Sequence, residues 1–157
     1  MKAKDILVEM KIKAHMENYP SIPLHAIPQP KYTDKTANGL TKMIIEFLQL
    51  SGWQAERIST TGRYIDNTKI VSDVLGRKKQ IGSGEWIKST STKGSSDISS
   101  TILGRSVKIE IKIGRDRQSA AQIDYMIAVN KAGGVYVIAK DFDQFHRWYE
   151  NFIKYPN

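Results

Sequence analysis

Apolar residues recur along this chain with two periods, and the switches between them mark the elements. Ala3, Ile6, Leu7, Met10 and Ala14 fall at helical spacing and predict an amphipathic helix over residues 3–14. Residues 19–30 hold all but one of the five prolines and read as an extended connector, because proline lacks a donor and fixes φ. A second helix is expected over 36–50, with Leu40, Met43, Ile44, Phe47 and Leu48 as its buried stripe. Residues 53–60 suit a strand, 61–63 a turn, and 63–92 show no clear period. Residues 107–113 alternate without a break and form the clearest strand. A helix over 118–131, a short apolar strand over 135–139 and a closing helix over 141–153, capped by Asp141, complete the pattern.

This order predicts an α/β fold with a central mixed β-sheet flanked by helices. Residues 1–35 are expected to be a helical extension and connector, and 36–157 one domain. The apolar face of the first helix needs cover, and a partner subunit in a homodimer is one option.

The 157-residue chain has no cysteine, which excludes disulfides, thiol nucleophiles and cysteine-ligated metal. It also lacks an apolar run of about 20 residues and a signal-peptide core, so a cytoplasmic location and no membrane partner are expected. The net charge of +8 is concentrated: residues 76–117 hold ten Lys or Arg against four Asp or Glu. Such a basic stretch suggests a polyanionic partner, although a solvated face would look the same.

Within 107–113, alternation turns Val107, Ile109, Ile111 and Ile113 to one side, and Lys108, Glu110 and Lys112 to the other. The preceding segment can fold back across a turn at 103–105. If Ile102 pairs with Val107, Asp97 falls opposite Lys112. If Ile102 pairs with Arg105, it falls opposite Glu110. Both registers bring Asp97, Glu110 and Lys112 to one face, whereas a one-residue slip would turn Asp97 inward. Two carboxylates are hard oxygen ligands suited to Mg²⁺, with backbone carbonyls next to Glu110 available to complete the set. A lysine beside them could position water or stabilise charge on a phosphate. Glu110 and Lys112 alone would equally make an ordinary surface ion pair. His15, His25 and His146 lack metal-ligand spacing, and no phosphate-binding Gly-rich loop with Lys is present.

Residues 93–145 resemble the PD-(D/E)XK nuclease superfamily, in its VRR-Nuc-like, Holliday-junction-resolvase-like branch. The resemblance is carried by Gly94-Ser95-Ser96-Asp97, Ile109-Glu110-Ile111-Lys112, Ser119-Ala120-Ala121-Gln122, Ala132-Gly133-Gly134-Val135-Tyr136-Val137 and Asp141-Phe142. It implies a restriction-endonuclease-like core, with Asp97, Glu110 and the Ile111 carbonyl holding Mg²⁺ (Mn²⁺ as substitute). It further implies Lys112 as catalytic lysine and Gln122 as a supporting catalytic residue. The implied activity is cleavage of DNA, in preference to RNA, by an endonuclease whose selectivity for substrate structure stays open. Two departures stand out. Ser96 replaces the usual proline, and the first-helix acid is absent, leaving Asn38 or Glu46 to take its part. Arg57, Arg63, Arg115 and Arg117 are the expected phosphate contacts. The rival readings are a non-catalytic nucleic-acid-binding module that keeps the nuclease fold, and an adaptor whose basic stretch meets an acidic partner.

Overall fold

A computed structural model describes residues 2–59 and 62–155. Thr60 and Thr61, the end of the expected first strand and the start of the turn after it, lie outside the described residues. In chain order the elements are α1 (Ala3–Asn18), α2 (Ala37–Leu50), β1 (Gln54–Arg57), β2 (Arg63–Asp66), β3 (Lys69–Ser72), β4 (Lys78–Ile81), β5 (Gly84–Ile87), β6 (Ile98–Ile102), β7 (Arg105–Ile111), α3 (Ala120–Lys131), β8 (Val135–Ala139) and α4 (Phe142–Lys154). The chain divides into two units, residues 1–58 with 93–157, and residues 59–92.

The first unit is a mixed α/β structure. Its sheet runs β1-β6-β7-β8, antiparallel except for the parallel β7–β8 pair. That pair needs a crossover, which α3 supplies. One face of the sheet carries Ala55, Ile98, Ile102, Val107, Ile109, Val137 and Ala139. They join Leu40, Met43, Ile44, Phe47 and Leu48 of α2 and Phe142 and Phe145 of α4 in one buried core. Phe47 meets Phe142, Phe145 and Tyr149 edge-on, at centroid separations of 5.7, 6.3 and 4.9 Å. The other face of the sheet carries α3 near β8, with the Tyr125 ring edge-on to Tyr136.

The first helix belongs to this core. Ala3 and Leu7 are buried in it, and α1 packs on α2 and α4. Lys11 of α1 pairs with Glu46 of α2, whose other oxygen accepts a 2.8 Å hydrogen bond from the Tyr32 hydroxyl in the connector. The apolar face for which a partner subunit was one option is therefore covered, in part, by the chain itself. The contact boundaries fall at 59 and 92 rather than at 35.

The second unit, which gave no sequence period, is a two-stranded antiparallel ribbon. Arg63–Asp66 pairs with Gly84–Ile87, and Lys69–Ser72 with Lys78–Ile81. Every residue from 69 to 83 is exposed. With both faces in water, neither a helical nor a one-sided strand period had reason to appear. Among the described residues, no helix is long and apolar enough to cross a membrane.

Candidate functional site

The β6–β7 hairpin takes the tighter of the two expected registers, with Ile102 paired to Arg105 and Ile98 to Ile109. The two connecting residues decide this. Leu103 and Gly104 have φ of 51° and 74°, and a two-residue turn with both φ values positive matches the twist of the strands it joins. Asp97, one residue before β6, therefore lies opposite Glu110, on the face away from α2.

Asp97 is tied to β7 by its side chain. Its Oδ2 accepts a 2.9 Å hydrogen bond from the Ile111 N–H. The segment leading to it is pressed against the first turn of α3. A Cβ on Gly94, at φ +80°, would sit 2.2 Å from the Ala121 carbonyl oxygen and 2.8 Å from the Gln122 nitrogen. Only glycine allows both that φ and that approach. Ser96, in the place of the family's proline, is fully buried and fixes the turn differently: its hydroxyl donates to the Ile98 carbonyl at 3.0 Å.

Glu110 is 2% exposed and Lys112 7% exposed. The Lys112 ammonium lies 3.2 Å from Glu110 Oε1 and 3.3 Å from Asp116 Oδ2. Gln122 donates from Nε2 to Glu110 Oε1, while its own Oε1 accepts from the Ser119 N–H at 2.9 Å. Ser119 in turn caps α3, accepting from the Gln122 N–H. One side chain thus closes the helix's capping box and grips the buried carboxylate. The Tyr136 hydroxyl approaches Glu110 Oε2 at 3.4 Å.

Burial, and then the charge of Asp97, push the Glu110 carboxyl above its ordinary range, with Lys112 and Tyr136 opposing. Burial alone would lower Lys112, but the hydrogen bonds and charges of Glu110 and Asp116 outweigh it and hold its pKa above the ordinary value. Lys112 is therefore an ammonium at neutral pH and cannot serve as a base there. Burial and the charge of Glu110 also raise Tyr136, which stays a phenol.

The structure brings Asp97, Glu110, Ile111, Lys112 and Gln122 together. It places the four arginines differently. Arg115 and Arg117 are exposed in the loop following Lys112, beside the cluster. Arg57 pairs with Ile98, so it belongs to the α2 face and not to that of Asp97. Its guanidinium donates to Asn38 Oδ1 at 2.9 Å, and both line a cleft of about 360 Å³ with Thr41, Lys42 and Glu46. Arg63 lies in the ribbon, paired with Ile87. Neither stand-in for the family's first-helix acid is free: Asn38 is held by Arg57, and Glu46 by Lys11 and Tyr32.

Three neighbours were not anticipated. Tyr136 belongs to the apolar strand β8, where only the parallel register, pairing it with Lys108, reveals its face. Asp116 sits in a loop, where no period applies. Lys108 shares the face of Glu110 and donates to Ser99 Oγ at 2.6 Å; its place in the alternation was visible, but its contact was not.

No protein-family model matches the sequence, and no curated protein matches it.

Among the described residues, no group of three or more His, Cys, Asp or Glu side chains could hold a metal ion. The donors at hand are two carboxylates and backbone carbonyl oxygen. Such a set does not fit zinc's usual closed nitrogen and sulfur sites. It fits a hard cation that keeps several waters. The electrostatics agree, because burial and then the charge of Asp97 leave the Glu110 carboxyl raised despite Lys112.

Proposed function

We propose that the chain is a metal-dependent nuclease of the PD-(D/E)XK type, with a restriction-endonuclease-like core, that hydrolyses DNA phosphodiester bonds as an endonuclease. The observation that carries this reading is the convergence of Asp97, Glu110 and Lys112 on one sheet face, with Gln122 gripping Glu110 from the start of α3. The sequence resemblance predicted that set, and the geometry is compatible with it.

Asp97, Glu110 and the Ile111 carbonyl would hold Mg²⁺, or Mn²⁺ in its place. A cation there would polarise the scissile phosphate and lower the pKa of a bound water. The residues of the chain do the rest. Gln122 fixes the Glu110 carboxylate through an amide that the helix cap already orients. The Ile111 N–H fixes the Asp97 carboxylate in place. Lys112, kept charged, stabilises negative charge building on the phosphate and orients the attacking water. Arg115 and Arg117, exposed just beyond, supply phosphate contacts that position the strand.

The test is plasmid cleavage by purified protein in Mg²⁺. Asp97→Ala and Glu110→Ala should each abolish cleavage while retaining the far-UV CD of the parent. If the folded parent binds DNA but leaves it intact across Mg²⁺ and Mn²⁺, the catalytic reading is wrong.

A further inference from the structure

The ribbon formed by β2–β5 and β3–β4 is anomalous as a folded object. Its two ladders share one register, so residues 63–72 run beside 78–87 as a single arm. At about 3.3 Å per residue, ten residues span about 33 Å. An isolated two-stranded hairpin is marginal in water unless something covers it. Yet Ile70, Val71 and Ile81 are 72%, 40% and 45% exposed.

The charge on the arm says what kind of cover suits it. Residues 63–88 hold six Lys or Arg and three acids. Two of those acids are occupied within the ribbon. Asp66 accepts from Thr68, and Asp73 from the Leu75 and Arg77 backbone and from the Arg77 side chain. Lys69, Lys78 and Lys79 form no ion pair among the described residues. They also divide between the faces: Lys69 and Lys79 share one and Lys78 takes the other, as the register requires. A flat protein interface would meet one face only. A groove walled by phosphates meets both.

The tip adds a second observation. Between β3 and β4 the turn presents Val74 at 103% and Leu75 at 72% exposure. Asp73 pins this turn, so the two apolar side chains project from a fixed loop. Apolar wedges flanked by cations are how minor-groove-binding proteins separate base steps and bend the duplex. Two-stranded ribbons enter DNA grooves, the minor groove among them.

We infer that residues 63–88 are a duplex-DNA-binding arm, with Lys69, Lys78 and Lys79 on the phosphates and Val74 and Leu75 as a wedge at its tip. The inference shares with the proposed function a nucleic-acid partner, but residues outside the catalytic cluster carry it.

Fluorescence anisotropy with a labelled duplex of about 30 base pairs, in EDTA and over a salt series, tests it. The variant Lys69→Ala/Lys78→Ala/Lys79→Ala should bind at least tenfold more weakly. Its log–log salt slope should fall by about 2.7, at about 0.9 per phosphate contact. Replacing the same lysines with arginine should restore both. Val74→Ser/Leu75→Ser should keep most of the slope while losing duplex bending, read as end-to-end energy transfer. The arm is exposed, so all three variants should melt with the parent. An unchanged slope in the alanine variant overturns the inference. So does binding confined to single strands, or a loss of self-association in place of DNA binding. Asp97→Ala separates the two proposals: cleavage should vanish with duplex affinity and slope intact. If the alanine variant binds like the parent and Asp97→Ala still abolishes cleavage, the arm is wrong and the catalytic site stands. If the arm variants behave as stated and the parent never cleaves, the reverse holds.

Discussion

The close approach of Gly94 to α3 makes a quantitative test of how the site is assembled. In Gly94→Ala, the new methyl would lie 2.2 Å from the Ala121 carbonyl oxygen and 2.4 Å from its carbon. Both are backbone atoms of a helix, so no rotamer change relieves the clash. The left-handed φ of +80° adds roughly 1–2 kcal/mol for any residue with a Cβ. Forcing a methyl into closed space adds roughly 1–3 kcal/mol. The total is about 2–5 kcal/mol, or a fall of about 1–2.5 M in the urea midpoint at an m-value of about 2 kcal/mol/M. Gly133→Ala is the control: its φ is +81°, but nothing lies within 4 Å of the added Cβ, so it carries the backbone strain alone. Urea unfolding followed by tryptophan fluorescence, with DNA cleavage measured on the same preparations, reads both. Relief of the Gly94 clash pushes the Asp97 segment away from Gln122, so cleavage should collapse in that variant and survive in Gly133→Ala. Equal destabilisation by the two substitutions would refute the argument.

Four further variants have expected outcomes. Ser119→Ala removes a helix cap and should cost about 1 kcal/mol with little change in cleavage. Gln122→Ala also releases Glu110 and should lower cleavage about 10- to 100-fold; similar kinetics for the two would contradict the grip assigned to Gln122. Leu7→Ala should cost about 3–5 kcal/mol by chemical denaturation, because Leu7 is fully buried; a loss below about 1 kcal/mol would mean that α1 is not part of the core. For Glu46, burial raises the carboxyl, but the hydrogen bonds and charge of Lys11 and Tyr32 win and lower it. The folded chain then binds that proton less tightly than the unfolded chain. The resulting stability is complete above the ordinary carboxyl range and is lost as pH falls through it to the lowered value. Glu46→Gln should flatten that part of a melting-temperature profile, and an unaltered acid limb would show that the ion pair contributes nothing.

What could be read in the sequence follows physical lines. Strand β7 was legible because one of its faces is apolar and the other polar, so its alternation places Glu110 and Lys112 without any tertiary information. The capping residue Asp141 was legible because a cap is a local hydrogen bond: it accepts from the Gln144 N–H at 2.7 Å. The face that Arg57 takes was not legible, because it depends on the pairing of β1 with β6. Arg57 pairs with Ile98, one residue from Asp97 and hence on the opposite face. What covers the N-terminal helix was not legible, because an amphipathic helix announces a buried face but not what buries it. Ser96 shows a limit of another kind. The turn it occupies was read from a pattern in which proline is usual, whereas this chain fixes it with a hydroxyl bond to Ile98.

The contacts that set up the candidate site also hold the fold, and this governs how its variants should be interpreted. The Asp97 carboxylate satisfies the Ile111 N–H at the end of β7. Gln122 is both capping residue and clamp. Lys112 sits 3.2 Å from a carboxylate that is 2% exposed. Removing Lys112 would leave Glu110 buried beside Asp97 with no ammonium to offset it, and breaking a buried pair by deleting one partner costs roughly 3–5 kcal/mol. Lost activity in Lys112→Ala is therefore ambiguous alone. Lys112→Arg resolves it, since arginine keeps the charge but spreads it over a wider planar fork. If Lys112 acts on the reacting phosphate, Lys112→Arg should recover most of the stability lost in Lys112→Ala but little of the cleavage. If it serves only to neutralise Glu110, stability and cleavage should return together. Thermal melts and single-turnover cleavage of the two variants, side by side, distinguish a catalytic lysine from a counter-ion.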